Sequence, residues 1–311
     1  MIDYFDRIHL FLTNKRILEK YLFFSYLGAI LVRILNFIAP VYFLFTQNNK
    51  KYKLDSCYKE KDRIIVTLTS FPQRIDKLWL VIESIFRQRL KPDKIIIWLS
   101  LDQFDSFDCL PNNLKQQVGR GLEIRLVSND LRSHKKYYYA LKEFPEDKLI
   151  LIDDDIFYDS NLIKSLVDCS VLNPDTVIAR YCKKMLWENS YLCSYKKMNL
   201  IFEEQPASNA IFFGSGGGTL ITKNMLDEDV FNIDLFTSLT PTADDVWLNA
   251  MCRLKGVRVK CIGHLTNYLG VKSNLNITLD SINNGQNQND VQIRNVQNYY
   301  FNEKKLNPFK C

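Results

Sequence analysis

Short runs of β-branched and aliphatic residues alternate with segments of helical periodicity in the part of the chain that follows residue 62. The runs have the length of β-strands and lie at Arg63–Leu68, Lys94–Leu99, Glu123–Val127 and Lys148–Ile152. The intervening segments repeat apolar residues at helical spacing and lie at Pro72–Arg89, Ser133–Phe144 and Ser160–Cys169. Strands that alternate with helices of this length imply right-handed crossovers. The sequence therefore predicts an α/β fold with a mostly parallel central sheet flanked by helices.

An acidic triplet, Asp153–Asp155, follows the last of these strands directly. Ligands collect at the carboxyl ends of parallel strands. Three adjacent carboxylates repel one another, and Mg²⁺ or Mn²⁺, which prefer hard oxygen ligands, would relieve that repulsion most directly. We expect a turn beginning at Asp154 that lets Asp153 and Asp155 reach one diphosphate. The alternative is a solvated turn, or a cap of the helix predicted from Ser160.

Two further elements could belong to the same site. Four glycines in five residues, at Gly214–Gly218, allow close approach to a ligand or simply a tight turn between strands, and they lack the pattern of a P-loop or a dinucleotide fingerprint. Asp244 and Asp245 begin an apolar helix, where carboxylates are favoured as caps. The functional interpretation is that one of the two acids is a general base that deprotonates an acceptor hydroxyl.

Basic and ambivalent residues complete the candidate site. Lys136, or its neighbour Lys135, could neutralise a donor diphosphate, although both lysines could equally lie on a solvated helix face. His264 could be a third metal ligand, although a lone histidine is more often structural.

The N-terminal segment from Tyr21 to Phe45 is almost entirely apolar, with Lys and Arg on both sides. Its length could span a bilayer core of about 30 Å. Arg33 near its centre and Pro40 argue against a simple span, so a helix in the plane of the interface is equally compatible. The other alternative is a buried helical hairpin packed on the catalytic domain. No clean small-residue cleavage site follows, so the segment does not match a signal peptide.

Composition indicates which ligands and which redox environment suit the chain. The net charge of +6 lies in short basic clusters, which fit anionic substrates or lipid headgroups better than nucleic acid. The eight cysteines form no CxxC pair, so we expect reduced thiols in a cytosolic setting. Past residue 280 the chain is rich in Asn and Gln and is expected to form a polar tail or a late helix. The predicted divisions are an apolar helical segment and linker at 1–60, a catalytic domain at 61–270 and a polar extension at 271–311.

From about residue 62 to residue 265 the chain resembles GT-A-fold glycosyltransferases of the bacterial family-2-like kind. The residues that carry the resemblance are the opening VTLTSFPQR, the triplet Asp153–Asp155, the GSGGG segment, and Asp244 and Asp245 before Trp247. The resemblance implies that Asp153 contacts the nucleoside ribose and that Asp155 binds the metal bridging the diphosphate. It also implies that Asp245 is the base of an inverting displacement, with Asp244 in the place of the family's glutamate.

The resemblance further implies a nucleotide-sugar donor, a glycan or lipid-linked acceptor, a Mn²⁺ or Mg²⁺ cofactor and a role in surface polysaccharide synthesis. Together with the apolar N-terminal segment, the resemblance leads us to expect a protein at the cytoplasmic face of a membrane, peripheral or single-span, and otherwise a cytoplasmic one. Arg74 stands where the family has another opening and is the expected nucleotide contact. Gly216, Gly217 and Trp247 are the expected acceptor contacts. The alternatives are a sugar nucleotidyltransferase, a membrane-tethered glycan-binding protein without activity, and a glycoside hydrolase, which also uses paired carboxylates.

Overall fold

Fifteen strands and nine α-helices are found in a computed structural model that describes residues 1–13, 23–47, 62–188, 191–263, 268–273 and 287–310. The strands are β1 (Ile64–Thr69), β2 (Lys94–Ser100), β3 (Leu122–Val127), β4 (Lys148–Ile152), β5 (Ile156–Phe157), β6 (Val177–Ala179), β7 (Cys182–Lys184), β8 (Trp187–Glu188), β9 (Tyr191–Leu192), β10 (Asn199–Ile201), β11 (Gln205–Ser208), β12 (Ile211–Phe213), β13 (Gly217–Ile221), β14 (Val259–Cys261) and β15 (Leu269–Gly270). The helices are α1 (Ile2–Leu12), α2 (Phe23–Thr46), α3 (Ile75–Phe86), α4 (Asn112–Val118), α5 (Lys135–Glu143), α6 (Leu162–Leu172), α7 (Ile233–Leu239), α8 (Asp244–Leu254) and α9 (Gln288–Lys304).

The central sheet has eight strands in the order β11, β14, β6, β13, β4, β1, β2 and β3. Six of them run in one direction, and only β13 and β11 run against their neighbours. Because β13 is antiparallel to β4, it begins where β4 ends, and Gly217 lies opposite Ile152. The acidic triplet and the glycine-rich turn therefore meet at one edge of the sheet.

Apolar side chains alternate between the two faces of the sheet and enter two separate cores. Ile65 and Leu149 point to the core shared with α5, α8 and α9, whereas Ile64 and Ile150 point to the core shared with α2, α3 and α6. This is the two-residue period of a sheet that is covered on both faces. The prediction of a mostly parallel sheet flanked by helices, with an N-terminal apolar helix, is confirmed. Six cysteines lie among the described residues, and all six are free thiols.

The N-terminal helices pack on the α/β core through one face only. Leu35, Ala39 and Phe43, spaced four residues apart along α2, are fully buried, and the Phe43 ring lies 6.5 Å from that of Trp79. Within the described residues, α2 is the helix that is long and apolar enough to cross a membrane, and 22% of its most apolar window is buried. One face of α2 therefore packs inward and the other faces outward, so α2 is not the fully buried helix of the hairpin alternative.

The late part of the chain forms a helix, one of the two forms expected of it. Ile293, Val296 and Tyr300 of α9 are buried, and the Tyr300 ring lies 6.5 Å from that of Trp247 in α8. Gln292 binds the loop before α8 twice, since its Oε1 accepts from the Thr242 amide at 3.0 Å and its Nε2 donates to Thr242 Oγ1 at 2.9 Å. The helix thus supports the segment that leads into Asp244.

Candidate active site

The acidic triplet forms a turn between β4 and β5, and its three side chains differ in exposure. The side chains of Asp153 and Asp155 are 43% and 35% exposed, whereas that of Asp154 is 7% exposed. The expected turn at Asp154 is present, so the outer two carboxylates face the cavity while the middle one points inward. The first and third acids are therefore the two that a ligand can reach.

Asp154 is held in place by residues that follow β1. Ser70 Oγ donates to Asp154 Oδ2 at 2.6 Å, and Arg74 Nη1 donates to Asp154 Oδ1 at 2.7 Å. The same Nη1 lies 2.7 Å from Asp155 Oδ2. Arg74 was predicted to contact the nucleotide, and the structure places its guanidinium between two carboxylates at the wall of the cavity. Its first effect is to hold the acidic turn against the end of β1.

Burial raises the pKa values of the second and third acids of the triplet. Burial and the neighbouring Asp154 carboxylate raise the pKa of Asp155 to about 7. Burial also raises the pKa of Asp154, although Arg74 and Ser70 oppose the shift. The turn is thus short of positive charge in the protein alone.

The glycine-rich turn is shaped around Asp153. The Gly216 carbonyl accepts hydrogen bonds from the Asp153 amide at 3.2 Å and from the Tyr158 hydroxyl at 2.5 Å. A Cβ at position 216 would lie 1.7 Å from Asp153 Oδ2, and one at Gly217 would lie 2.0 Å from the Tyr268 hydroxyl. Because Gly216 has no side chain, the Asp153 carboxylate can lie against this turn. A contact within the protein therefore explains why glycine stands at this position.

Replacing Gly216 with alanine should displace the Asp153 carboxylate and leave the fold in place, because the displaced group is the free end of a side chain. Asp153 would then lose its contact with Lys136. If the cavity binds a nucleoside diphosphate with Mn²⁺, we expect the affinity measured by calorimetry to fall about tenfold or more, because the displaced carboxylate leaves its place at the cavity wall and one charge-assisted hydrogen bond contributes ~1.5–3 kcal/mol. Gly119→Ala is the matched control, because its added Cβ meets no atom closer than 3.5 Å. Equal affinities in the two variants would contradict the role assigned to this turn.

Asp244 and Asp245 occupy the first turn of α8, as predicted, and Ser215 of the glycine-rich turn binds both. The Ser215 hydroxyl donates to Asp244 Oδ2 at 2.7 Å, and the Ser215 amide donates to Asp245 Oδ1 at 2.7 Å. Burial alone would raise the pKa of Asp244, but Lys136 and its other partners outweigh burial and lower it to about 2. Burial and then the charge of Asp244 raise the pKa of Asp245 to about 7. Asp245 is therefore the better proton acceptor of the pair near neutral pH.

Lys136 connects the two acidic elements. Its Nζ lies 2.8 Å from Asp153 Oδ1 and 3.0 Å from Asp244 Oδ2, and its side chain is 4% exposed. Burial would lower the pKa of Lys136, but the carboxylates of Asp153 and Asp244 outweigh burial and raise it. The alternative that Lys136 lies on a solvated helix face is excluded, because its side chain is buried between two carboxylates. One fixed ammonium group joins the triplet after β4 to the acidic pair of α8.

His134, next to these lysines, supports the loop before α8. Its Nε2 lies 2.7 Å from the Thr240 carbonyl and its Nδ1 lies 2.8 Å from the Tyr137 hydroxyl. Burial lowers the pKa of His134 to about 4, so the ring is neutral at pH 7. A carbonyl can only accept, which places the single ring proton on Nε2 and leaves Nδ1 to accept from Tyr137. His134 therefore positions α8 and carries no charge into the site.

A single cavity of about 820 Å³ brings these elements together. Its walls include all three acids of the triplet, Arg74, Lys136, Gly216, Gly217, Asp244 and Asp245. Three lining residues carry shielded polar atoms without a hydrogen-bond partner, and these are Arg74 Nε, Gln103 Oε1 and Ser133 Oγ. A shielded polar atom without a partner costs ~1–3 kcal/mol, so this wall is suited to a ligand that offers polar groups.

Two predicted site residues lie elsewhere. Trp247 is fully buried in the core, with its ring 6.3 Å from that of Phe236, and it does not line the cavity. Its predicted acceptor contact is corrected: the residue sits on the inner face of α8, three residues after the acid that begins the helix. His264 lies outside the described residues.

Several lining residues were not predicted from the sequence. Ser70 is a single serine after β1, and no spacing signal identifies it. Ser215 lies within the glycine-rich segment, and its role is to bind Asp244 and Asp245. Tyr181 and Tyr268 pair across the cavity wall with ring centroids 5.6 Å apart. They come from segments far apart in the sequence, so only the folded chain shows the pair.

The donor set at the triplet suits a hard divalent cation. Asp153 and Asp155 present carboxylate oxygens to the cavity, and Mg²⁺ or Mn²⁺ is commonly held by one or two carboxylates together with substrate phosphates. In the described ranges, no group of three or more His, Cys, Asp or Glu could hold a metal ion. The residues therefore fit a cation that is bound jointly with a phosphorylated ligand.

No protein-family model matches the sequence, and a search of curated proteins finds no match. Among solved structures, the mannosyltransferase PcManGT from Pyrobaculum calidifontis, in complex with GDP-Man and Mn²⁺, is 14% identical over 91% of this chain and 77% of that chain, with a TM-score of 0.48. Glucosyl-3-phosphoglycerate synthase from Mycobacterium tuberculosis, in complex with phosphoglyceric acid, is 10% identical over 71% of this chain and 75% of that chain, with a TM-score of 0.40.

The same synthase in complex with Mn²⁺, UDP-glucose and phosphoglyceric acid is 16% identical over 38% of this chain and 43% of that chain, with a TM-score of 0.30. This chain thus matches less than half the length of that structure.

Proposed function

We propose that the chain is a metal-dependent GT-A-fold glycosyltransferase that moves a sugar from a nucleotide-diphosphate donor to a hydroxyl group of a glycan or lipid-linked acceptor. The observation that carries the proposal is the meeting of two acidic elements across Lys136 in one cavity. The triplet offers carboxylates suited to a cation and a diphosphate, while the pair on α8 offers a carboxylate with a pKa near neutrality. Transfer from a charged donor to a neutral hydroxyl needs both.

The donor half of the reaction would use the triplet. Asp155 and Asp153 would hold the divalent cation together with the diphosphate, and Arg74 keeps the turn in position through Asp154 and Asp155. When bound, the cation would stabilise the negative charge that the departing nucleoside diphosphate acquires. Of the polar atoms without a partner, Arg74 Nε and the Ser133 hydroxyl can donate to the donor, and Gln103 Oε1 can accept from it.

The acceptor half would use Asp245. The acceptor oxygen attacks the anomeric carbon, the bond from that carbon to the phosphate oxygen breaks, and the nucleoside diphosphate leaves with the bonding electrons. Asp245 takes the hydroxyl proton as the new bond forms, and the Ser215 amide fixes the orientation of its carboxylate. A single displacement of this kind inverts the anomeric centre, so we propose an inverting enzyme. Its role in surface polysaccharide synthesis is proposed from the resemblance of the sequence alone.

The test is a panel of nucleotide sugars with Mn²⁺ or Mg²⁺, scored for release of nucleoside diphosphate by the parent and by Asp155→Ala. We expect release from at least one donor by the parent and a loss of about 10²-fold or more in the variant, the scale of losing a charge-stabilising group. Asp168→Ala is the control, since Asp168 forms an exposed ion pair with Lys164 on α6. Equal activity of the parent and Asp155→Ala on every donor would contradict the proposal.

Assays with other substrates separate the alternatives. A nucleotidyltransferase would release pyrophosphate and would need a nucleoside triphosphate. A glycan-binding protein would bind its glycan and release nothing from any donor. A glycoside hydrolase would cleave a glycan with neither nucleotide nor metal.

A further inference from the structure

The outward faces of α1 and α2 form an apolar surface, which we call the N-terminal apolar face. Eleven of the eighteen exposed large hydrophobic side chains of the described residues belong to these two helices. Six of them are aromatic and are 64–87% exposed, namely Tyr4, Phe11, Phe23, Tyr26, Phe37 and Phe45. The other seven are scattered over the rest of the chain, so this concentration of exposed apolar side chains identifies an interaction surface.

The inward faces of the same helices are fixed to the core. Asn36 Nδ2 donates to the Gly270 carbonyl at 2.8 Å, and Asn36 Oδ1 accepts from the Lys272 amide at 2.7 Å. At the other end, Asp3 accepts from the amide and the hydroxyl of Ser160 at 2.7 and 2.6 Å. For α2 to cross a bilayer it would have to break these bonds and expose its buried inner face. The packing therefore favours helices that lie along a surface.

Charge indicates the chemistry of that surface. Residues 1–61 contain ten Lys and Arg against five Asp and Glu, a net charge of +5 out of the +6 of the whole chain. Arg7 and Arg33 are exposed on α1 and α2 among the apolar side chains. Aromatic side chains and arginines together suit the boundary between lipid headgroups and acyl chains. Anionic headgroups attract basic residues there, and each basic residue contributes about 1 kcal/mol to binding.

We propose that α1 and α2 lie in the plane of a membrane that contains anionic lipids, with the N-terminal apolar face inserted at the headgroup boundary. The chain would then be a monotopic membrane protein. Gly270, which Asn36 binds, lines the cavity, and the Val271 amide donates to the Asp155 carbonyl at 2.7 Å. The docking helix is thus joined to the wall beside the acidic triplet, which would bring an acceptor anchored in the same membrane to the cavity.

The test uses the purified full chain and flotation with two kinds of vesicle, phosphatidylcholine alone and phosphatidylcholine mixed with phosphatidylglycerol. We expect flotation with the anionic vesicles, and a bound fraction that falls as salt screens the charges. Phe37→Asp combined with Phe45→Asp should lower the partition coefficient about tenfold or more, since both rings leave the lipid. Leu172→Asp is the matched control, because Leu172 is 81% exposed on α6, outside the face.

Three results would overturn the proposal. The first is a parent chain that floats with neither kind of vesicle, and the second is an equal loss of binding by the Leu172→Asp control. The third is retention on vesicles after an alkaline carbonate wash, which releases surface-bound chains and leaves spanning helices in place. A lipid-free dimer that Phe37→Asp dissociates, without vesicle binding, would assign the face to a second copy. No sugar nucleotide is present, so these outcomes are independent of the proposed transferase activity.

Discussion

Replacing Asp245 with asparagine is expected to lower kcat for sugar transfer by about 10²- to 10⁴-fold, the range that a general base contributes. The amide keeps the size of the side chain and an oxygen for the Ser215 amide, so the helix start should remain intact. It cannot accept the proton of the acceptor hydroxyl. Asp234→Asn is the control, because Asp234 is an exposed acid in the first turn of α7.

The pH dependence gives the same residue a second test. Because burial and the charge of Asp244 raise the pKa of Asp245 to about 7, a substantial fraction of this base is protonated at neutral pH. A general base acts only when ionised, so kcat at saturating donor and Mn²⁺, where a bound cation would keep Asp155 ionised, should fall about tenfold per pH unit below pH 7 and level off above it. The residual activity of Asp245→Asn should lack this dependence. An unchanged profile in the variant would identify another group as the base.

Lys136→Met is expected to lower the free energy of unfolding by about 3–5 kcal/mol, the cost of removing one partner from a buried ion pair. Asp244, which is buried, would lose its ammonium partner, and Asp153 would lose its contact as well. Denaturant unfolding with far-UV circular dichroism measures the change. Lys164→Met, which removes an exposed pair on α6, should change stability by less than about 0.5 kcal/mol. Stability equal to that of the parent would contradict the buried-pair argument.

Acid unfolding tests whether the Lys136–Asp244 ion pair stabilises the folded chain. The pKa of Asp244 is lowered from 3.8 to about 2, so its pairing stabilises the folded chain above about pH 4, and this contribution is lost as pH falls towards 2. In Lys136→Met, the pKa of Asp244 should return most of the way to its ordinary value. The variant should also regain part of its stability when Asp244 is changed to asparagine, because the uncompensated charge is then removed.

The elements with strong local signals could be predicted from the sequence. The predicted run Lys148–Ile152 is β4 residue for residue, and the predicted segment Ser133–Phe144 contains α5. Both have repeating apolar positions that one strand or one helix face must bury. The antiparallel direction of β13 could not be predicted, because a short apolar run does not specify which neighbour it pairs with or in which direction.

The site was predictable only where its chemistry is written in consecutive residues. The acidic triplet and the pair on α8 are such cases, and the structure brings both to one cavity. The partners of Lys136 lie 17 and 108 positions away along the chain, so neither pairing leaves a local signal. The predicted acceptor contact of Trp247 failed for a different reason, because proximity in sequence to Asp245 does not place a residue on the same face of a helix.

Because Lys136 contacts both Asp153 and Asp244, binding at one of these carboxylates is coupled to binding at the other. Asp153 and Asp244 share its ammonium group, at 2.8 and 3.0 Å, so the two carboxylates compete for a single cation. A cationic ligand drawn to Asp153 displaces part of that interaction and strengthens the pairing of Lys136 with Asp244. Thermodynamic linkage is reciprocal, so an event at Asp244 alters affinity at Asp153 by the same factor. In the proposed transferase, donor and acceptor would therefore bind with a cooperativity that this one ammonium group sets.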